Sequence, residues 1–353
     1  MTEGVFMRQT RQIHVGGVPI GGGAPVTVQS MTTTPTDDVD ATLAQIHALA
    51  AAGCDIVRVA VPDLKAARAI KDIKANSPLP LVADIHFDYK LALLAVENGA
   101  DRIRINPGNI GGRERVCAVA DACRERGVPI RVGVNAGSLE KDLLDKLGNT
   151  PEALCESALR SVSLLEDVGF DHICVSLKSS GVRATVEAYK LVAARCDYPL
   201  HIGVTEAGTA ETGVIKSSIG IGSLLLDGIG DTLRVSLTAD PVEEVRTGLA
   251  ILRALKLRVG VDVVSCPTCG RTKIDLLPLT AEVRERLRGI DRDITVAVMG
   301  CVVNGPGEAK FADYGVSGGD GEGVVFRRGE VVGKFPEERL CDALLDVITK
   351  DEG

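Results

Sequence analysis

The 353-residue sequence has no tryptophan, and aromatic residues make up only 3% of it. A nucleic-acid surface built on base stacking needs such rings, so their scarcity argues against one. Positive charge is also short: the net charge is −8 and the isoelectric point about 5.3, a poor match for a polyanion partner. No apolar run reaches membrane-spanning length, and Met1-Thr2-Glu3-Gly4 lacks the pattern of a signal peptide. No Gly-x-Gly-x-x-Gly opens a helix after the first strand, which weakens a dinucleotide-binding reading. The Cys-x3-Cys-x2-Cys of radical S-adenosylmethionine enzymes is missing near the N-terminus. The ten cysteines form no disulfide framework; Cys54, Cys117, Cys123, Cys155, Cys174 and Cys196 read as small buried hydrophobes. The expectation is a cytoplasmic protein with neither nucleic acid nor membrane as partner.

What is present is a thiol constellation near the C-terminal end. Ser265-Cys266-Pro267-Thr268-Cys269-Gly270-Arg271-Thr272 offers two thiols from a single turn. Met299-Gly300-Cys301, followed by a glycine-rich loop through Gly307 to Glu308, offers a third. Soft thiolates select zinc, copper(I) or iron–sulfur clusters. A structural zinc site wants four ligands, usually from a second Cys-x-x-Cys, and none exists here. Cys341 lies in an amphipathic stretch that reads as core. The spacing therefore favours an iron–sulfur cluster, with Glu308 as the nearest oxygen ligand and zinc as the alternative.

From Val26 to about residue 260, short strand-like runs alternate with amphipathic helical ones. The strand candidates are 26–31, 55–62, 81–87, 102–107, 129–135, 172–178, 200–205 and 232–238. Eight strands alternating with helices predict a parallel sheet, and their number and length favour a closed (β/α)8 TIM-type barrel over residues 1–260. Residues 261–353 read as a smaller α+β domain that holds the thiols. In it, 261–264 and 294–298 are expected strands, 315–323 a glycine-rich turn region, 324–334 a hairpin and 337–348 a closing helix.

Successive side chains of a strand point to opposite faces. One face is aliphatic, as in Val57, Val59 and Val61. The other carries Thr27, Gln29, Arg58, Asp84, His86, Arg104, Asn106, Arg131, Asn135, Ser176, Lys178, His201, Thr205, Arg234 and Ser236. A polar inward face in every strand departs from the usual apolar barrel filling. By this phase four arginines and one lysine meet only Asp84, and buried cations need anions. A ligand with two or more negative charges, such as a phosphate ester, accounts for the surplus. Glu206, just past the seventh strand, is an acid/base candidate.

Gln29-Ser30-Met31-Thr32, Ala83-Asp84-Ile85-His86-Phe87, Arg104-Ile105-Asn106-Pro107-Gly108-Asn109, Gly203-Val204-Thr205-Glu206-Ala207-Gly208 and the two thiol segments together resemble the 4-hydroxy-3-methylbut-2-enyl diphosphate synthase family, in its bacterial two-domain form. The resemblance covers nearly the whole chain. It implies the two-electron reductive ring opening of 2-C-methyl-D-erythritol 2,4-cyclodiphosphate, with loss of water, in isoprenoid biosynthesis. It also implies a [4Fe-4S] cluster on Cys266, Cys269, Cys301 and Glu308, and electrons from flavodoxin or ferredoxin. A homodimer is implied too, with the cluster domain of one chain serving the barrel of the other. On this resemblance Arg58, Arg104, Arg131 and Lys178 hold the diphosphate, with Asn106 and Arg234 beside them. Asp84, His86, Asn135, His201 and Ser236 orient the substrate, and Glu206 delivers a proton.

Overall fold

Two short strands, β1 (Ile13–Val15) and β2 (Val18–Ile20), pair as an antiparallel hairpin turned at Gly16, whose φ of 57° favours glycine. The hairpin buries Ile13, Val15 and Ile20 against Ile56, Val82 and Cys174. The computed structural model describes residues 6–290, 292–301 and 311–351. The chain divides into two compact units, Met1–Arg258 and Val259–Gly353.

In the first unit eight parallel strands alternate with helices. The order is β3 (Thr27–Met31), α1 (Val39–Ala51), β4 (Ile56–Ala60), α2 (Leu64–Asn76), β5 (Leu81–Asp84), α3 (Tyr89–Glu97) and β6 (Arg102–Ile105). Then come α4 (Pro107–Ile110), α5 (Arg113–Glu125), β7 (Ile130–Asn135), α6 (Lys141–Leu147), α7 (Pro151–Glu166), β8 (Ile173–Lys178) and α8 (Val182–Ala193). The unit ends with β9 (His201–Ile202), α9 (Ala210–Leu226), β10 (Thr232–Leu233) and α10 (Pro241–Ala254). The sheet runs β8-β7-β6-β5-β4-β3-β10-β9, and a parallel bridge between Val175 and Leu200 brings its two ends together. This is the expected (β/α)8 barrel.

Local chemistry starts the helices. Asp63, Asp88, Thr150 and Asp240 each accept from a backbone amide of the first turn. Asp38 caps α1, its carboxylate accepting from Ala41 N at 3.1 Å. Apolar residues three and four apart, such as Ala66, Ile70 and Ile73 on α2, face the outward aliphatic side of the strands and form one continuous core with it.

The inward face is not polar throughout, as the phase count had it. Ile56, Val82 and Cys174 share the phase of Arg58, Asp84 and Ser176, yet they lie at the N-terminal ends of their strands, packed against the hairpin. The hairpin is an apolar plug and demands an apolar lining. Polarity begins one layer higher.

The second unit orders β11 (Val261–Ser265), α11 (Leu276–Arg286), β12 (Ile294–Met299), β13 (Tyr314–Gly318), β14 (Glu322–Arg327), β15 (Glu330–Pro336) and α12 (Leu340–Lys350). They form a five-stranded sheet, β11-β12-β13-β14-β15, with its own core of Val296, Val298, Val316, Val325, Leu340 and Leu344. The expected turn over 315–323 is in part a central strand, β13. Its glycines exist for close approach. A Cβ on Gly315 would strike the Phe326 ring and Ala297 O, and one on Gly318 would meet Gly300 O at 2.9 Å. Cys341 is buried in this core, as its amphipathic setting suggests.

Candidate active site

The strands of a barrel deliver their C-terminal ends to one rim, where βα loops can be rebuilt without disturbing the core. There, Arg58, Asp84, His86, Arg104, Arg131, Asn135, Ser176, Lys178, Thr205 and Arg234 enclose a pocket of about 180 Å³. Alternation along the strands brings Arg58, Asp84, Arg104, Arg131, Asn135, Ser176 and Lys178 together, His86, Thr205 and Arg234 follow strand ends, and ladder register sets neighbours. Asp84 pairs across with Arg104, Arg104 with Arg131, and Asn135 with Lys178. Gly133 leaves room for the Arg104 guanidinium, which a Cβ there would strike.

The carboxylate of Asp84 is the hub. Arg104 Nη1 reaches it at 3.2 Å, His86 Nε2 at 3.5 Å and Arg58 Nε at 3.8 Å. Burial opposes its ionisation, but Arg58, then His86 and Arg104, hold it well below the usual carboxylate range. Lys178 is buried and has no hydrogen bond or ion pair with another described residue. Burial first, then Arg234, Arg58, Arg131 and Arg104, push its ammonium well below the ordinary lysine value. The same burial and crowding depress Arg131.

Beneath the pocket lies a layer of wholly buried polar groups. Gln29 Oε1 accepts a short hydrogen bond from Arg102 Nη2 and another from Arg131 Nη1 at 3.4 Å. Among the described residues no carboxylate is within ion-pair distance of either guanidinium. Burial lowers the Arg102 pKa. His201 belongs to this layer, with Nδ1 3.4 Å from Thr232 Oγ1 and Nε2 unpartnered. Burial, then Arg131, Lys178 and Arg102, push its pKa well down and keep the ring neutral.

Not every expected residue lines the pocket. Strand β6 ends at Ile105, so the alternation stops before Asn106. That side chain instead caps α4, accepting from Gly108 N at 3.1 Å, and Ser161 Oγ donates to it at 3.4 Å. His201 lies below the pocket, and Ser236 is outside its lining. Glu206 is exposed just beyond β9, in the left-handed region at φ 52°, also outside the lining.

Ser176 and Thr205, expected on the inward face, line the pocket. Arg102 and Glu244 are not among the expected residues. Arg102 shares the phase of Arg104, which marks it as inward. Glu244 comes from α10, and its Oε1 meets Arg234 Nη2 at 3.3 Å. It stands in the buried stripe of Val245, Gly248 and Leu252. A carboxylate in an apolar stripe was the available signal. It also corrects the charge count, because Arg234 has its own counter-ion from a helix that strand alternation cannot see.

A larger cleft of about 450 Å³ lies at the other end of the barrel, among His14, Gly16, Asp101 and Arg126. Its acidic group is already engaged, since Asp101 accepts from Lys74 Nζ at 2.6 Å and Leu81 N at 2.7 Å.

In the second unit, β11 and β12 are parallel neighbours with Ser265 opposite Val298, so Cys266 and Cys301 both follow strand ends on the same edge. Gly300 N donates to Cys266 Sγ at 3.2 Å. A Cβ on Gly300 would meet Thr272 Cγ2 at 2.9 Å, so glycine lets the Cys266–Thr272 turn approach. Hydrogen bonds from Arg271, backbone and side chain, lower the pKa of the exposed Cys269 thiol. Among the described residues no three His, Cys, Asp or Glu side chains gather on one point, and Glu308 lies outside the described residues. The donor chemistry of three thiols, one predisposed to ionise and one already accepting an amide, fits a thiolate-held centre.

Two family models match the chain: the GcpE TIM-barrel domain over residues 10–249 and the GcpE protein C-terminal domain over residues 262–350. A protein of Geobacter sulfurreducens is 62% identical over 344 residues, covering 97% of this chain and 98% of its own length. One of Caldanaerobacter subterraneus subsp. tengcongensis is 61% identical over 343 residues, covering 97% of both chains. Both are named 4-hydroxy-3-methylbut-2-en-1-yl diphosphate synthase (flavodoxin). Among solved structures, 3-dehydroquinate dehydratase of Geobacillus kaustophilus matches 70% of this chain and 99% of its own with a TM-score of 0.50 and 17% identity, a likeness of fold alone. Among the described residues no helix is long and apolar enough to cross a membrane.

Proposed function

The chain belongs to the GcpE family of 4-hydroxy-3-methylbut-2-en-1-yl diphosphate synthases, and from that membership we propose that its rim pocket binds a cyclic diphosphate for reductive ring opening. The reaction converts 2-C-methyl-D-erythritol 2,4-cyclodiphosphate to the linear allylic diphosphate, with two electrons entering and water leaving. The observation that carries the pocket assignment is its charge. Arg58, Arg104, Arg131, Lys178 and Arg234 line it against Asp84 alone, with Glu244 behind Arg234. Five cations against two carboxylates leave room for a compact anion, and Lys178 and Arg131 lack a carboxylate partner. Arginine forks suit phosphate oxygens, and the lysine adds a point charge.

Asp84 keeps Arg58, Arg104 and His86 in fixed positions before substrate arrives. Asn135, Ser176 and Thr205 offer hydrogen bonds at the same rim. Glu206, at the end of β9, would supply from its carboxyl the proton that the departing hydroxyl carries away as water. Cys266, Cys269 and Cys301 would hold a [4Fe-4S] cluster, with Glu308 as fourth ligand on the family resemblance. When bound, such a cluster supplies single electrons and a Lewis-acidic iron. Flavodoxin, carried in the relatives' names, is the proposed donor, and a homodimer belongs to the same proposal.

The test is anaerobic turnover of the cyclic diphosphate with reduced flavodoxin, the linear product being read by mass spectrometry. Iron and sulfide are measured on the same sample. Absence of product from iron-replete protein overturns the reading. A colourless protein that contains zinc overturns the cluster.

A further inference from the structure

We propose that Glu244 is a positioning residue that aims Arg234 at the diphosphate, an inference that rests on the reading of the rim pocket as the diphosphate site. Glu244 does not line the pocket. It sits one turn into α10, buried, behind the loop that follows β10. Its carboxylate grips Arg234 by two prongs, with Nε to Oε2 at 3.3 Å and Nη2 to Oε1 at 3.3 Å. The same two oxygens accept from Ser30 Oγ at 3.0 Å and Leu237 N at 3.0 Å. One side chain thus ties together strand β3, the loop after β10 and the guanidinium.

The geometry divides the five N–H donors of Arg234. Two are spent on Glu244, and three remain for the pocket. A two-pronged grip fixes the plane of the fork as well as its position, which a single hydrogen bond cannot do. Arg234 N donates to Ile202 O at 3.0 Å, so the ladder fixes its backbone but not the direction of its guanidinium. Its orientation depends on the carboxylate.

The charge of Glu244 acts in the opposite direction. Removing it raises the positive potential of the pocket, which alone would tighten anion binding. The sign of the effect therefore separates aiming from charge balance. Glu244→Gln keeps one acceptor oxygen and places an NH2 group where an acceptor stood, so one prong is lost.

The experiment is a double-mutant cycle on the iron-replete, dimer-competent full chain, read as KM and kcat and as the dissociation constant of the cyclic diphosphate by calorimetry. Glu244→Gln should raise KM and the dissociation constant about tenfold, with kcat within twofold. In the Arg234→Gln background the same change should add less than twofold, because its target is gone. A general loss of folding would act equally in both backgrounds. If Glu244→Gln leaves affinity unchanged or tightens it, or weakens it equally in both backgrounds, the proposal is overturned. If Arg234→Gln itself leaves affinity unchanged, the diphosphate reading of this arginine fails first, and the proposal with it. Should Glu244→Gln not fold, Ser30→Ala takes its place. It removes the Oε2 partner and leaves the carboxylate. It should raise KM two- to threefold in the parent and not in Arg234→Gln, and equal effects in both overturn the proposal.

Discussion

Arg104 stands directly across from Asp84 in the β5–β6 ladder, and its Nη1 reaches the Asp84 carboxylate at 3.2 Å inside the barrel. The same carboxylate faces Arg58 and His86, so one anion serves three neighbours. Asp84→Asn would strand buried guanidiniums. It is expected to destabilise the barrel by about 3–5 kcal/mol, the cost of breaking a buried pair from one side. Urea denaturation followed by circular dichroism measures it. Millimolar pyrophosphate should restore the variant more than it stabilises the parent, because it replaces the missing anion. A variant as stable as the parent without ligand would count against the hub.

Lys178 is the pocket cation without a partner among the described residues, so Lys178→Ala should weaken substrate binding by about 2–5 kcal/mol. The spectrum of the bound cluster should not change. Its pH dependence follows from its depressed pKa, caused by burial and the surrounding arginines. The free pocket releases the lysine proton at a lower pH than an ordinary lysine does, and a bound diphosphate raises the pKa again. Binding is therefore strongest at low pH and weakens as pH rises from the free-state to the bound-state pKa, with proton uptake in that window. Calorimetry in buffers of different ionisation enthalpy reads the uptake. Uptake that persists in Lys178→Ala would assign it to another group.

Strand periodicity made Arg58, Asp84, Arg104, Arg131 and Lys178 legible, because a ladder fixes which face each residue takes. It failed where the strand itself stopped. Asn106 lies beyond Ile105, and its side chain caps a helix. It failed again where the partner came from another layer. The apolar floor of Ile56, Val82 and Cys174 is intelligible only once the hairpin is placed beneath it, and Glu244 only once α10 is packed behind Arg234. Strand β13 was hidden by its glycines, whose reason is the Phe326 ring and the neighbouring carbonyls. Local pattern carried the repeating scaffold, while contacts between distant segments carried the exceptions.

Arg102 is wholly buried, shares one acceptor with Arg131 and leaves Nε and Nη1 unpartnered. A charge so placed costs stability and raises the positive potential under the pocket floor. Arg102→Met keeps the length of the side chain and removes both effects. It is expected to raise stability by about 1–3 kcal/mol, since apolar replacement of buried ionic groups is often stabilising. It should weaken diphosphate binding by about 1–2 kcal/mol, the Coulomb term over ~10 Å at an effective dielectric of ~20. Thermal melts and calorimetry on the same sample test the pair. A less stable variant, or one with unchanged affinity, would place the role of Arg102 in packing alone.

The thiols and the barrel belong to units with separate cores, the one around Val296 and Leu344, the other around the eight parallel strands. Loss of a thiol ligand should therefore leave the first unit folded. Cys266→Ser, Cys269→Ser and Cys301→Ser are each expected to abolish iron binding and turnover, with pyrophosphate affinity of the barrel within twofold of the parent. Anaerobic iron and sulfide analysis gives the first readout and calorimetry the second. Full cluster content in any variant removes that residue from the ligand set. Glu308 extends the test by chemistry alone, because a carboxylate binds iron less tightly than a thiolate. Glu308→Cys should keep four irons and turn over slowly, whereas Glu308→Ala should lose iron or bind water in its place. Electron paramagnetic resonance separates the two outcomes. A normal signal together with normal turnover in Glu308→Ala would show that the fourth iron needs no carboxylate, leaving three thiolates as the whole protein ligand set.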